Sequence, residues 1–384
     1  MFCVGWGMLE NLSAWWTTYN VQIVIGIGAT VLIALVKPWR DQLGSWIVEL
    51  FKWLVAFIGS VPNHLALRNH VLGSKPLWNY RKQRTAKLDL APVTVTVMNF
   101  KGGVGKTTLS ANLAAALSIR HGFDVLLIDL DYQGSLTELL KPNTNDSSQN
   151  NLVGNLLAAS KEKKPKSIDD LVVGAVGLPK VKLITAAYEL TEVEDNQLLR
   201  WLIHEVGTGG DVRNRIAQML TRRDWNLADK FDVVIMDAPP RLSLASANAL
   251  RASKYVLVPS KLQQLSSLPV AKMLGYLRTF KSRIRGSFEI AGVVCCMTNG
   301  EAATGTETAA LRDIEAALLE ESTKPRVYKQ YIPDLVDVGR PQAVRIGYQL
   351  PGVKGDRVRA IFDNIADEFV EQAGLKPAMA RAAE

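Results

Sequence analysis

The sequence predicts an α/β fold: a mostly parallel, twisted sheet flanked by helices, preceded by an N-terminal transmembrane helix. Three observations predict it. From Val93 onward, short β-branched runs alternate with helical stretches, the pattern of a parallel sheet covered on both faces. A glycine-rich turn ending in Lys-Thr-Thr separates the first such run from the first helix. Ahead of both lies a long segment almost free of ionisable side chains. At 384 residues the chain has room for one large α/β domain and a modest appendage.

The appendage comes first. From Asn11 to Val36 the only ionisable side chain is Tyr19, and Val21–Val36 is almost wholly apolar. A span of about 15–36 matches the roughly 20 residues a helix needs to cross a bilayer core. Trp15, Trp16 and Tyr19 stand at one end and Trp39 at the other, as interfacial aromatics do. A secretory signal would open on basic residues, whereas the first here is Lys37. Only Glu10 precedes the span, while Lys37, Arg40, Arg68, Lys75, Arg81, Lys82, Arg84 and Lys87 follow it. The positive-inside tendency therefore puts the bulk of the chain in the cytoplasm, at the cell inner membrane, as a single-pass protein. A second apolar stretch, Trp46–Ile58, carries Glu49 and Lys52 on one helical face and Trp46, Leu50, Trp53 and Leu54 on the other. It reads as an interfacial amphipathic helix, with a second span as the rival. Gly26, Thr30 and Ala34 form a small-residue face on which two spans could pack. Residues 1–61 are thus expected to be a membrane anchor, 62–92 a proline-containing basic linker, 93–374 the catalytic domain and 375–384 a tail.

Within the domain, Val93–Met98, Val125–Ile128, Val181–Thr185, Val233–Met236, Tyr255–Val258 and Ile290–Met297 read as buried strands. Helical stretches follow at Thr107–Arg120 and near Glu189–His204, Ser243–Ala252, Ser266–Arg283, Glu307–Glu320 and Arg357–Ala373. Lys141–Lys166, rich in Asn, Ser and Lys, is expected to be a mobile excursion. The three cysteines, Cys3, Cys295 and Cys296, have neither disulfide-framework nor zinc spacing, which favours a reduced compartment.

The chemistry is concentrated after the first strand, at Lys101-Gly102-Gly103-Val104-Gly105-Lys106-Thr107-Thr108. Glycines let successive backbone N–H groups turn toward phosphate oxygens, and the following helix N-terminus adds positive potential. Lys106 is placed to reach the β- and γ-phosphates and Thr107 to ligate Mg²⁺, so ATP with Mg²⁺ is the expected cofactor. The generic pattern asks for glycine where this chain has Phe100, and Lys101 is an additional lysine inside the loop.

That extra lysine makes the loop resemble the deviant Walker ATPases of the ParA/MinD family, a branch of the P-loop NTPases. Two more segments carry the resemblance. Val125–Thr137, with Asp129, Asp131 and Gly134, looks like the family's second acidic motif, although Tyr132 replaces the usual proline. Phe231–Pro240 looks like the Walker B strand ending in Asp237. The resemblance spans roughly Val93–Gln372 and implies an ATP-dependent homodimer in which Lys101 contacts phosphate of nucleotide bound across the pair. It further implies that Asp131 orients the attacking water, that Asp129 sits near the metal, and that Asp237 holds Mg²⁺ through water. Gly102–Thr108 would bind the nucleotide, and Asn299 resembles the adenine-reading Asn. Leu183–Leu190 and Leu242–Pro259 look more like the chromosome- and plasmid-partition (ParA/Soj) branch than like MinD. Leu375–Glu384 is too short and weakly apolar for a MinD-type membrane helix.

From Arg251 to Phe288 there are eight Lys or Arg residues and no Asp or Glu, with Lys272, Arg278, Lys281, Arg283 and Arg285 on or just beyond one helix. Non-specific DNA is one expected partner for this region, since such binding needs only phosphate contacts; anionic lipid or a solvated face are the alternatives. The leading expectation is a membrane-anchored ParA-like ATPase, slow and stimulated by an unidentified activating partner protein. It would act in DNA or plasmid partition or in positioning a membrane-associated complex. A membrane-linked P-loop tyrosine kinase and a non-catalytic ATP-gated scaffold are the rival classes. The kinase lacks support in a chain whose last tyrosine is Tyr348, and adjacent Cys295-Cys296 do not suit the cluster ligands of a nitrogenase-iron-protein relative.

Overall fold

The Val-Thr-Val-Thr-Val run at Val93–Val97 forms β1, and its two threonines are buried without loss of hydrogen bonding. Thr94 Oγ1 accepts the Lys254 N–H at 2.7 Å, and Thr96 Oγ1 lies 2.5 Å from Ser253 Oγ. The computed structural model describes residues 91–141, 152–158, 165–203, 211–262, 264–284, 287–300, 303, 305–321, 325–334 and 346–376. All belong to the larger of two units into which the chain divides, Tyr80–Glu384 with Leu72–Lys75, and only that unit is described. The expected span, the interfacial helix, nearly all of the linker and most of the tail lie outside the described residues. Among the described residues no helix is long and apolar enough to cross a membrane.

The remaining strands are β2 (Val125–Asp129), β3 (Val173–Ala175), β4 (Leu178–Ile184), β5 (Val233–Asp237), β6 (Tyr255–Lys261), β7 (Glu289–Thr298), β8 (Arg326–Val327) and β9 (Ile332–Pro333). They build one sheet in the order β3-β4-β2-β5-β1-β6-β7-β8, with β9 also paired to β7. Every pairing is parallel except β3–β4. β2 and β5 are buried along their whole length, as strands covered on both faces must be.

Helices α1 (Lys106–His121), α2 (Ser135–Leu140), α3 (Leu152–Ala158), α4 (Leu190–Ile203), α5 (Arg215–Leu220), α6 (Leu227–Lys230), α7 (Leu244–Ala252), α8 (Gln264–Ile284), α9 (Thr306–Leu319) and α10 (Gly352–Ala373) cover it. Leu109, Leu113 and Leu117 bury one stripe of α1, and its alanines let the strands approach closely. Arg120 at the end of α1 grips Asp367 of α10 through two nitrogens, at 2.7 and 2.6 Å. Among the described residues the expected mostly parallel α/β sheet flanked by helices is found, with two departures, while the expected transmembrane helix lies outside them. Inside the segment 141–166, expected to be a mobile excursion, Leu152–Ala158 is a helix. Leu152, Val153, Leu156 and Leu157 are spaced to bury one side of it against the core, a pattern the surrounding polar residues obscure. The short strands β3, β8 and β9 escape the sequence because two or three residues carry no periodicity.

Candidate nucleotide site

Three neighbouring strands end together at the carboxyl edge of the sheet, where ligands bind in open α/β folds. Their register puts Asp237 of β5 opposite both Asp129 of β2 and Val97 of β1. The loop after β1 is pinned at its start. Asn99 Nδ2 donates to the Pro259 carbonyl at 2.8 Å, and its Oδ1 accepts the Lys101 N–H at 2.9 Å. Gly105 closes the loop at φ 89°, a left-handed conformation that a side chain would strain, and α1 begins at the next residue. A Cβ added at Gly102 or Gly103 would meet nothing within 4 Å, so the backbone there faces open space that phosphate oxygens can occupy.

Lys106 is buried, and its ammonium donates to the Lys101 carbonyl at 3.2 Å. Burial lowers its pKa from the ordinary lysine value, opposed by the charges of Asp237 and Asp131. Thr107 donates its hydroxyl to Asp237 Oδ2 at 2.7 Å, and Ser110, one turn on, donates to Oδ1 at 3.2 Å. Burial nonetheless pushes the Asp237 carboxyl up to about 6, against those donors and Lys106. Asp129 is fully buried and pushed up to about 7, first by burial and then by the charge of Asp237. Its Oδ2 accepts from both the N–H and the hydroxyl of Thr137, at 2.9 and 2.7 Å, and its Oδ1 accepts the Asp131 N–H at 3.1 Å. Asp129 therefore organises the loop that presents Asp131, whose own Oδ1 accepts the Gln133 N–H at 3.1 Å.

Among the described residues no group of three His, Cys, Asp or Glu side chains forms a metal cage. Mg²⁺ suits such a place, because it keeps several waters and binds through one or two carboxylates plus substrate phosphates. Thr107 and Asp237, beside the open glycine backbone, fit that arrangement. Asn299 lies exposed just past β7, with its N–H donating to Glu307 Oε1 at 3.0 Å.

A family model described as an AAA domain matches residues 93–290, more than half of the chain. The chain belongs to this family. Soj of Bacillus subtilis, a sporulation initiation inhibitor protein, is similar to this AAA-domain chain at 29% identity over 242 residues, 62% of this chain and 83% of Soj. A variant of McdA from Cyanothece bound to ATP superposes with a TM-score of 0.56 at 18% identity, covering 74% of this chain and 98% of that one. A Borrelia burgdorferi protein assigned to plasmid partition, bound to AMPPNP, gives 0.54 at 22% identity over 73% and 99% of the two chains. At these identities the two structures show the fold alone. The chain spans 43% to 56% of the length of several other curated relatives.

The basic region contains both paired and exposed cations. Arg278 pairs with Glu320 and Glu321, at 2.7 and 3.3 Å, and Arg251 Nε donates to the side-chain Oδ1 of Asn214 at 2.6 Å. Lys272 is exposed on α8. The side chain of Arg283 and all of Arg285 lie outside the described residues. Sequence reasoning overlooked Ser110, although its place one helical turn after Lys106 signals it, and Thr137, whose role appears only when β2 and α2 are brought together.

Proposed function

We propose that this chain is a membrane-anchored ParA-like ATPase, a nucleotide-dependent dimerisation switch that hydrolyses ATP to ADP and phosphate. Its setting is DNA or plasmid partition, or the positioning of a membrane-associated complex. The observation that carries this reading is the Thr107–Asp237 hydrogen bond beside the buried Lys106, at the end of the glycine loop. When bound, magnesium nucleotide supplies the phosphoryl group that is transferred. Backbone N–H groups from Gly102 to Thr108, Val104 and Gly105 among them, bind its phosphates, while Lys106 and Lys101 offset their charge. Thr107 and Asp237 hold the metal, with Asp129 beside them. Asp131 orients the attacking water, and Asn299 reads the base. Such a site works by positioning and charge neutralisation, with no covalent nucleophile. The uncharged segment Asn11–Val36 supports the anchor, and exposed Lys272 supports a DNA contact.

Phosphate release by the full-length protein in lipid nanodiscs, with and without DNA, tests the reading. Wild type turns over, and both Lys106→Ala and Asp131→Ala lose turnover while Asp131→Ala still binds ATP. A wild type that neither binds nor hydrolyses ATP overturns the proposal; DNA without effect on turnover or binding removes the partition arm. Removing residues 1–61 is expected to release the protein from washed membranes, and persistence there would defeat the anchor.

A further inference from the structure

The loop carrying Asp131 meets a cluster of side chains, Arg241, Glu194 and Tyr188, that come from outside the glycine loop. Arg241 follows Pro239 and Pro240 on the segment leaving Asp237. Its Nη2 donates to Glu194 Oε2 at 3.3 Å, and its guanidinium carbon stands 4.7 Å from the ring centre of Tyr132. Tyr132 is the residue after Asp131, and its ring meets Tyr188 edge-on at 6.0 Å. Glu194, on α4, is 2% exposed, and its other oxygen accepts the Ala245 N–H of α7 at 2.6 Å. The Arg241 carbonyl accepts the Ser246 hydroxyl at 2.6 Å. Arg241 is thus fixed at head and backbone by α4 and α7, and Tyr132 lies against the fixed head.

The opposite side of the same loop is equally confined. Gly134 sits at φ 64°, and a Cβ there would lie 3.1 Å from the Ala186 carbonyl oxygen. Arg241 Nε is buried with no hydrogen-bond partner among the described residues, so the head is held by its Nη2 bond and by its place over the Tyr132 ring. Lysine offers a point charge with no plane, and does not reproduce that contact.

We infer that Arg241 is a positioning residue: with Glu194 and Tyr132 it clamps the backbone from Asp131 to Gly134 and couples that loop to the segment leaving Asp237. The inference rests on the ATPase reading for its catalytic consequence, but not for the clamp itself. Hydrogen exchange in the nucleotide-free full-length protein reads the clamp directly. In Arg241→Gln and Tyr132→Leu, amides of residues 131–134 exchange faster while those of α1 stay as in wild type. Unchanged exchange there, or a loss of protection spread over the whole domain, overturns the clamp. Where wild type hydrolyses ATP, each variant lowers kcat about tenfold, the scale of a partly desolvated cation–ring contact, with KM within about twofold. The double variant falls no further than either single one, and Arg241→Lys does not restore kcat. Independent, additive losses, or an effect confined to KM, would sink the coupling. A wild type without turnover fails the ATPase reading and leaves the exchange result to decide the clamp.

Discussion

Thr107 and Asp237, 130 residues apart in the chain, are joined by a 2.7 Å hydrogen bond at the mouth of the parallel sheet. The bond leaves a buried carboxylate facing the start of α1, with Ser110 on its other oxygen. Removing the hydroxyl in Thr107→Ala takes away a charge-assisted donor worth about 1.5–3 kcal/mol. Magnesium-dependent ATP affinity is expected to fall about tenfold or more, with affinity in EDTA little changed, and Thr107→Ser to recover most of it. Titration with a fluorescent ATP analogue, with and without Mg²⁺, checks this.

Asp129 and Asp237 also predict how stability follows pH. Both carboxyls titrate above the ordinary aspartate range, near 7 and 6, chiefly because burial disfavours the charged form. The folded state therefore holds protons that the unfolded chain has released. Their contribution to stability is fully present below the unfolded value near 3.8 and is lost as pH rises through about 6 to 7. The nucleotide-free protein is expected to melt at a lower temperature at pH 8 than at pH 5.5, and magnesium nucleotide to reduce the difference. A melting temperature that rises over this window in the nucleotide-free protein contradicts the assignment.

Asn112 ties the end of the chain to the helix that starts the site. Its Nδ2 donates to the Thr108 carbonyl and its Oδ1 accepts the Tyr348 N–H, both at 2.7 Å. Asn112→Ala strands that buried N–H and is expected to cost about 1–3 kcal/mol. Urea unfolding measures the loss, and proteolysis between Ile346 and Leu350 should quicken in the variant before the core is cut.

The basic helix makes a sharper prediction now that Arg278 is seen paired with Glu320 and Glu321. If DNA binds here, Lys272→Ala weakens it uniformly across sequences and reduces the salt slope by about one phosphate contact. Arg278→Ala changes DNA affinity less, because its charge is already met by two carboxylates. Binding isotherms at several salt concentrations separate the two; equal effects would remove the distinction.

Gly134→Ala tests the tightness of the loop after Asp131. The left-handed conformation and the 3.1 Å approach to Ala186 are expected to cost about 1–3 kcal/mol between them. The loss should appear in denaturant unfolding and, more strongly, in ATP turnover.

Much of the site was legible before any coordinates. Lys101–Thr108 stands out because phosphate binding needs glycine, lysine and hydroxyl at short fixed spacing, and such local requirements are written contiguously in the chain, whereas Asp131 and Asp237 were legible only through the family resemblance of the strand ends that carry them. The strands were legible because burial on both faces demands unbroken apolar runs. β3 and α3 were not, since β3 has only three residues and the apolar positions of α3 sit inside a polar stretch, so each owes its form to the surface it docks against.

The sequence by itself determined the α/β class, the positions of the main strands along the chain and the phosphate loop, because each depends on residues close together in the chain. Only the tertiary structure decided that Asp129 spends both oxygens on Asp131 and Thr137, that Ser110 shares Asp237 with Thr107, and that Arg241 lies against Tyr132. These partners come from different strands and helices. Sheet register sets which carboxylates and donors meet, and register follows from packing that no single segment encodes.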